Sequence, residues 1–219
     1  MALVSRIKRL QKLLLNEMAS VVEKYGFERK VHGQSFRMPK PFGWAAFHLS
    51  FVPHAEIDFD VIANVALRVD AVQELIHQDG NDLSKKEKQA TATFGCELGN
   101  LSQGKQRRWK IASENDIKPV MASIENALVT TALPYIERYS NLEEMFEVLC
   151  RNDRDAWLHS PFHHYRGMNA LALAVVLGKQ DRVEHIIEES EAFMRSIKDP
   201  NLGFFQPFAS KVRSLRDQK

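Results

Sequence analysis

Between residues 57 and 69 every odd position is apolar: Ile57, Phe59, Val61, Ala63, Val65, Leu67 and Val69. The even positions include Asp58, Asp60, Asn64 and Arg68. A period of two over this length fits a β-strand with one buried and one wet face, and no helix. One-sided burial in turn implies an antiparallel sheet whose apolar face must be covered by something else.

The neighbouring segments supply the other strands. Residues 27–38 break at His32-Gly33 and place Phe36 and Met38 on one face, which predicts a hairpin closed by Pro39 and Pro41. Residues 44–51 alternate, with Ala45, Phe47, Leu49 and Phe51 on one side. Residues 91–98 alternate again: Ala92, Phe94, Cys96 and Leu98 face one way, and Thr91, Thr93, Gly95 and Glu97 the other. That register makes Cys96 a core residue. A short helix is predicted over 71–77, an exposed charged loop over 79–88, and a turn over 99–104.

Helical spacing dominates both ends. Leu3, Ile7, Leu10, Leu14, Met18, Val21 and Tyr25 form one stripe, and Gly26 ends it. This amphipathic helix is the expected cover for the sheet, although a basic helix of this kind also suits a membrane surface or a partner. A second stripe runs over 116–132, with Pro134 in the first turn of a further helix. Ser140 to Glu143 and Asp181 to Glu184 read as capping boxes. Residues 168–177, MNALALAVVL, are nearly all apolar and predict a helix buried on every side. Pro200, Gly203 and Pro207 are expected to break the tail. The fold class is therefore α+β: an N-terminal helix on an antiparallel sheet of four to five strands, then a helical C-terminal half. The expected division is an α+β domain over 1–139 and a helical subdomain over 140–219 packed on it, within one body.

A chain of 219 residues with 44% hydrophobic and 26% charged residues is long enough to fold without disulfides or metals. Its net charge of +2 argues against a dedicated nucleic-acid binder. The two cysteines, Cys96 and Cys150, point to buried free thiols in a reducing compartment. The longest apolar run near the start, Leu13-Leu14-Leu15, is shorter than the roughly 7–15 residues of a signal core. No run approaches the ~18 apolar residues of a membrane span. The expectation is a cytoplasmic protein.

Thr91 to Leu149 carries Leu98-Gly99-Asn100-Leu101, then Arg108-Trp109, then Ala132-Leu133-Pro134-Tyr135, then Leu142-Glu143-Glu144. Together with Tyr25-Gly26-Phe27-Glu28-Arg29-Lys30 after the first helix, over roughly residues 1–150, this resembles the bacterial family catalogued as domain of unknown function number 4304. The resemblance departs between the strands and after Cys150, and it implies no catalytic residues. Small α+β proteins of this kind look like immunity proteins, which bind and block a toxin; that is fold analogy. Residues 169–188 look like the two-helix unit of one ankyrin repeat, which alone is a helical hairpin.

Three constellations could carry chemistry. Asp58 and Asp60 share the wet face of one strand, about 6.6 Å apart. Glu97, His48 and Arg68 have the same alternation sense. These side chains could bind a cationic partner, or converge on a divalent metal, or simply form cross-strand ion pairs. His159, His163 and His164, with Asp153 and Asp155 upstream, are separated by Pro161 and read as exposed residues of an interhelical loop. Residues 105–110, Lys-Gln-Arg-Arg-Trp-Lys, could grip phosphate and stack a base through Arg107, Arg108 and Trp109. Alternatively they form a solvated edge with Trp109 buried as an anchor. No phosphate loop, dinucleotide fingerprint, serine elbow or zinc-protease motif is present, so no cofactor or metal is expected. The function indicated is a non-enzymatic protein-binding module, in the immunity reading one that neutralises a toxin through Asp58, Asp60, Glu97, Arg68 and His48. The alternative is a nucleic-acid-associated or metal-dependent hydrolytic protein using the acidic face or the 105–110 run.

Overall fold

The computed structural model describes residues 2–54, 58–78 and 83–217. Ile57, which opens the alternating run, and the start of the 79–88 loop lie outside them. The chain begins with α1 (Ala2–Glu23), followed by strands β1 (Val31–His32), β2 (Ser35–Lys40), β3 (Gly43–Pro53) and β4 (Phe59–Val69). Helices α2 (Asp70–Ile76) and α3 (Lys85–Lys88), strand β5 (Phe94–Glu97), helix α4 (Leu98–Gln103) and strand β6 (Trp109–Ile111) come next. The rest is helical: α5 (Ile117–Ala127), α6 (Leu133–Tyr139), α7 (Leu142–Leu149), α8 (Arg154–His159), α9 (His163–Val176), α10 (Val183–Ser196) and α11 (Leu202–Asp217). This is an α+β fold with an antiparallel sheet and a helical C-terminal half.

The chain groups into two compact units, Met1–Leu67 with Cys96–Glu137, and Arg68–Gly95 with Arg138–Lys219. The segment carrying α2 and α3 thus belongs with the C-terminal helices.

In the first unit, the alternation of β4 is realised: Phe59, Val61, Ala63, Val65 and Leu67 are all buried. The sheet order is β1-β2-β3-β4-β5, and β6 also pairs with β4, matching Phe59 to Ile111 and Val61 to Trp109. The six strands exceed the expected four to five because β6 has three residues, too few to show a period. Pro39 does not close β2 but sits within it, opposite Trp44. There β1 has already stopped, so β2 has no second neighbour and the missing N–H leaves no ladder bond unmade. On α1, Leu10, Leu14, Met18 and Val22 are buried, and the helix packs against α5.

The stretch expected to be a turn is α4, which ends at Gly104 in the left-handed conformation. Gly99 is required inside it, because a Cβ there would lie 2.3 Å from the Arg107 amide nitrogen and 2.6 Å from the Lys105 carbonyl. Between α5 and α6 the helix widens into a π-turn over Leu128–Ala132. Pro134, two residues on, lacks an N–H and would collide with the carbonyl four residues back, and the wider turn makes room for it.

In the second unit α9 is the centre, packed by α2, α7, α10 and α11, with residues 169–174 buried. Its polar start is also buried, through Arg166 and Gly167. Four local expectations change. The charged loop contains α3, capped by a Ser84–Glu87 box. The N-cap of α7 is Asn141, whose Oδ1 accepts from the Glu143 amide at 3.1 Å, while the Glu143 carboxylate is drawn to Lys179. Asp181 lies inside a 3-10 turn that runs directly into α10, so it is already helical and caps nothing there. Pro207 lies within α11, held there by the buried Phe205, Phe208 and Val212 on either side of it.

Candidate functional site

The acidic strand face and the basic run neutralise each other. Strand β6 brings the basic run alongside β4, so Lys110 Nζ lies 2.6 Å from Asp58 Oδ2 and Arg108 reaches Asp60 Oδ2 at 3.4 Å. His54 Nε2 lies 3.1 Å from the same Asp60 oxygen. Asp58 is buried. Of the three readings of this face, the geometry matches the cross-strand ion pairs, with Asp58 buried and not bare and hydrated. Trp109 is buried, its Nε1 donates to Ser123 Oγ at 2.9 Å, and the Arg107 guanidinium stacks 4.7 Å from its ring while donating to the same hydroxyl. The indole is an internal anchor rather than a base-stacking platform.

The remaining predicted residues also have internal partners. Glu97 is not on a wet face. Its carboxylate is buried and accepts from the amides of Gly99 and Asn100, both at 2.8 Å, and of Arg107 at 3.2 Å. It is the N-cap of α4, a role that strand alternation cannot reveal. Arg68 is buried and donates to Asp70 Oδ1, to the carbonyls of Lys88 and Thr91, and to Thr91 Oγ1. His48 is half-buried, with Nδ1 2.8 Å from the hydroxyl of Ser35, its partner across the hairpin, and burial holds its pKa below the ordinary value. Among the described residues no three His, Cys, Asp or Glu side chains converge as a metal centre requires.

The histidines expected in an exposed loop are largely interior, in the second unit. His159 ends α8, stacks on Phe94 with ring centres 4.7 Å apart, and places Nε2 3.4 Å from the Tyr139 hydroxyl and 3.5 Å from Asp155 Oδ1. His164 is buried in the first turn of α9. His163 Nδ1 lies 2.8 Å from a guanidinium nitrogen of Arg166, which is only 2% exposed and also donates to the Ser160 carbonyl and Asn152 Oδ1. Burial lowers the pKa of all three histidines, and at His163 the adjacent Arg166 cation adds to it. Pro161 does separate α8 from α9, but the two ends fold inward around Arg166.

This junction forms the rim of a cavity of about 360 Å³ within the second unit. Its apolar lining includes Ile76, Phe94, Phe162 and Tyr165, and its polar lining includes Gln73, Asn169, His77 and His159. Gln73 Nε2 donates to Asn169 Oδ1 at 2.9 Å and to Thr93 Oγ1 at 3.0 Å, and Thr93 Oγ1 also accepts from the Val69 amide. A concave, mostly apolar site with a few convergent polar groups is the usual form of a ligand-binding cavity. Beside it runs a ridge of exposed rings. Phe162 is 64% and Phe204 71% exposed, Tyr165 lies 6.5 Å from Phe162, and His164 links both Tyr165 and Phe204. Apart from His164, no sequence pattern singles out these residues. The available signals were Asn169 as the lone amide in an apolar run, and an aromatic directly after Pro161.

The chain matches no protein-family profile, no curated protein and no solved structure. No helix among the described residues is long and apolar enough to cross a membrane.

Proposed function

We propose that the chain is a protein-binding module that docks an apolar strip of a partner protein on the ridge of Phe162, Tyr165 and Phe204. The observation that carries this reading is the exposure of Phe162 and Phe204, rings that burial would otherwise claim. Contiguous exposed aromatic surface is uncommon on proteins without partners, and aromatic anchors dominate binding energy where partners exist. The reading moves the contact surface away from Asp58, Asp60, Glu97, Arg68 and His48, each already engaged by internal partners. A cytoplasmic setting is supported by two free cysteines, with the Cys150 thiol pushed up to about 12 by burial. The narrower immunity role, with a toxin as partner, is supported by the family resemblance of residues 1–150 and by fold analogy alone.

The test begins with a photo-crosslinking aromatic residue in place of Phe204, and another in place of the exposed Lys30 as control. The protein captured only through position 204 is then purified, and its affinity is measured by calorimetry for the original chain and for Phe162→Ala with Phe204→Ala. Losing two aromatic anchors should cost at least about 2 kcal/mol, or about 30-fold in Kd. Equal affinity for both forms, or no capture above the Lys30 control, refutes the proposal.

A further inference from the structure

Gln73 and Asn169 are 3% and 4% exposed, and both face the cavity. Gln73 uses both amide hydrogens internally, on Asn169 and Thr93. Gln73 Oε1 and the Asn169 amide nitrogen have no hydrogen-bond partner among the described residues, and neither is sealed away from the cavity. An acceptor and a donor therefore stand side by side on a wall that is otherwise largely apolar. Exchanging the oxygen and nitrogen of both amides preserves the pattern: Asn169 and Thr93 would then donate to Gln73, leaving the Gln73 amide hydrogens and the Asn169 oxygen facing out. In either arrangement one donor and one acceptor await a ligand with the complementary edge.

The surroundings narrow the ligand further. Among the described residues no Asp, Glu, Lys or Arg lines the cavity, and the histidines that do, His77 and His159, are held towards the neutral form chiefly by burial. The parallel Phe94–His159 stack offers a flat wall, and Phe162 and Tyr165 stand at the rim. A volume of about 360 Å³ has room for roughly a dozen non-hydrogen atoms at about 30 Å³ each. We infer that this cavity is a binding site for a small, uncharged, planar molecule bearing a carboxamide or lactam edge, whose oxygen and N–H pair with the free groups of Gln73 and Asn169. This goes beyond the docking of a partner protein on the ridge and does not depend on it.

Calorimetry and ligand-observed NMR with benzamide and 2-pyridone test the inference, with benzoate and toluene as probes lacking the neutral donor–acceptor edge. Benzamide or 2-pyridone should bind at least tenfold more tightly than either control. Ala92→Trp, at an exposed position on the cavity mouth, should abolish that binding without touching the polar pair. Asn169→Leu, checked for folding by its melting curve, should remove the preference for the amide over toluene. Equal binding of all four probes would make the cavity merely apolar and overturn the inference. No saturable binding of either amide, or amide binding unchanged by Ala92→Trp, would overturn it as well.

Discussion

Replacing Glu97 by alanine removes the carboxylate that accepts from three backbone amides in the turn that follows β5. The Gly99 amide belongs to a buried residue and should bear the full penalty of a buried donor without an acceptor, about 1–3 kcal/mol. Asn100 and Arg107 are half-buried, so water can partly replace the carboxylate, at about 0.5–1 kcal/mol each, the scale of a lost helix cap. The sum is about 3 kcal/mol for Glu97→Ala. Glu97→Gln keeps the shape and the oxygen serving Gly99 and Arg107 but turns an N–H towards the Asn100 amide, so about half that loss is expected. Urea unfolding followed by circular dichroism measures both. With a slope of about 2–3 kcal/mol per molar, the midpoint should fall by about 1 M for alanine and about half as much for glutamine. Had Glu97 been a hydrated recognition residue, both changes would stay within about 0.5 kcal/mol. Alanine and glutamine variants as stable as the original chain would refute the capping argument.

Below pH 6.5 the unfolded chain protonates His159 and His164 while burial resists it in the folded chain, so stability should fall as pH drops from 7.5 to 5.5, by at most about 1.4 kcal/mol per pH unit per histidine. Urea midpoints that stay level across that range would contradict this, and His164→Gln should flatten the slope. Gly167→Ala would set a Cβ 2.7 Å from the buried Phe205 ring and should lower the melting temperature by several degrees, for a cost of about 1–3 kcal/mol. Gly203→Ala, which meets nothing within 4 Å, should leave melting unchanged or raise it slightly. Thiol reagents at pH 8 should label Cys96 and Cys150 far more slowly in the native chain than in urea, because Cys96 is buried and burial pushes the Cys150 thiol up to about 12.

Legibility in the sequence followed the length of each pattern. The long alternation of β4, the stripe of α1 and the apolar run in α9 all carried enough periods to declare the element and most of its buried face, although on α1 Val22 is buried in place of Val21 and Val176 at the end of α9 is exposed. Trp109–Ile111 offered three residues, so β6 was invisible, and with it the pairing that sets Lys110 against Asp58. Glu97 shows a second limit. Alternation says which way a side chain leaves the strand, but not that the next residues curl back to meet it. The histidines show a third: Pro161 correctly separated α8 from α9, yet polarity suggested exposure where Arg166 draws the junction inward. The cavity escaped notice because Gln73 and Asn169 lie 96 positions apart, and no local pattern connects them.

That separation also governs the order of assembly during synthesis. Helix α2 leaves the ribosome early, but α9, which it packs against, begins 87 residues after α2 ends. At about 5–20 residues per second the nascent chain carries α2 for roughly 4–17 s before its neighbour exists. Val72, fully buried in the finished protein, has no α9 to cover it for that interval. The second unit therefore completes its core only once α9 and the helices after it have been synthesised, and a chain truncated before α9 would display an apolar surface open to chaperones and proteases.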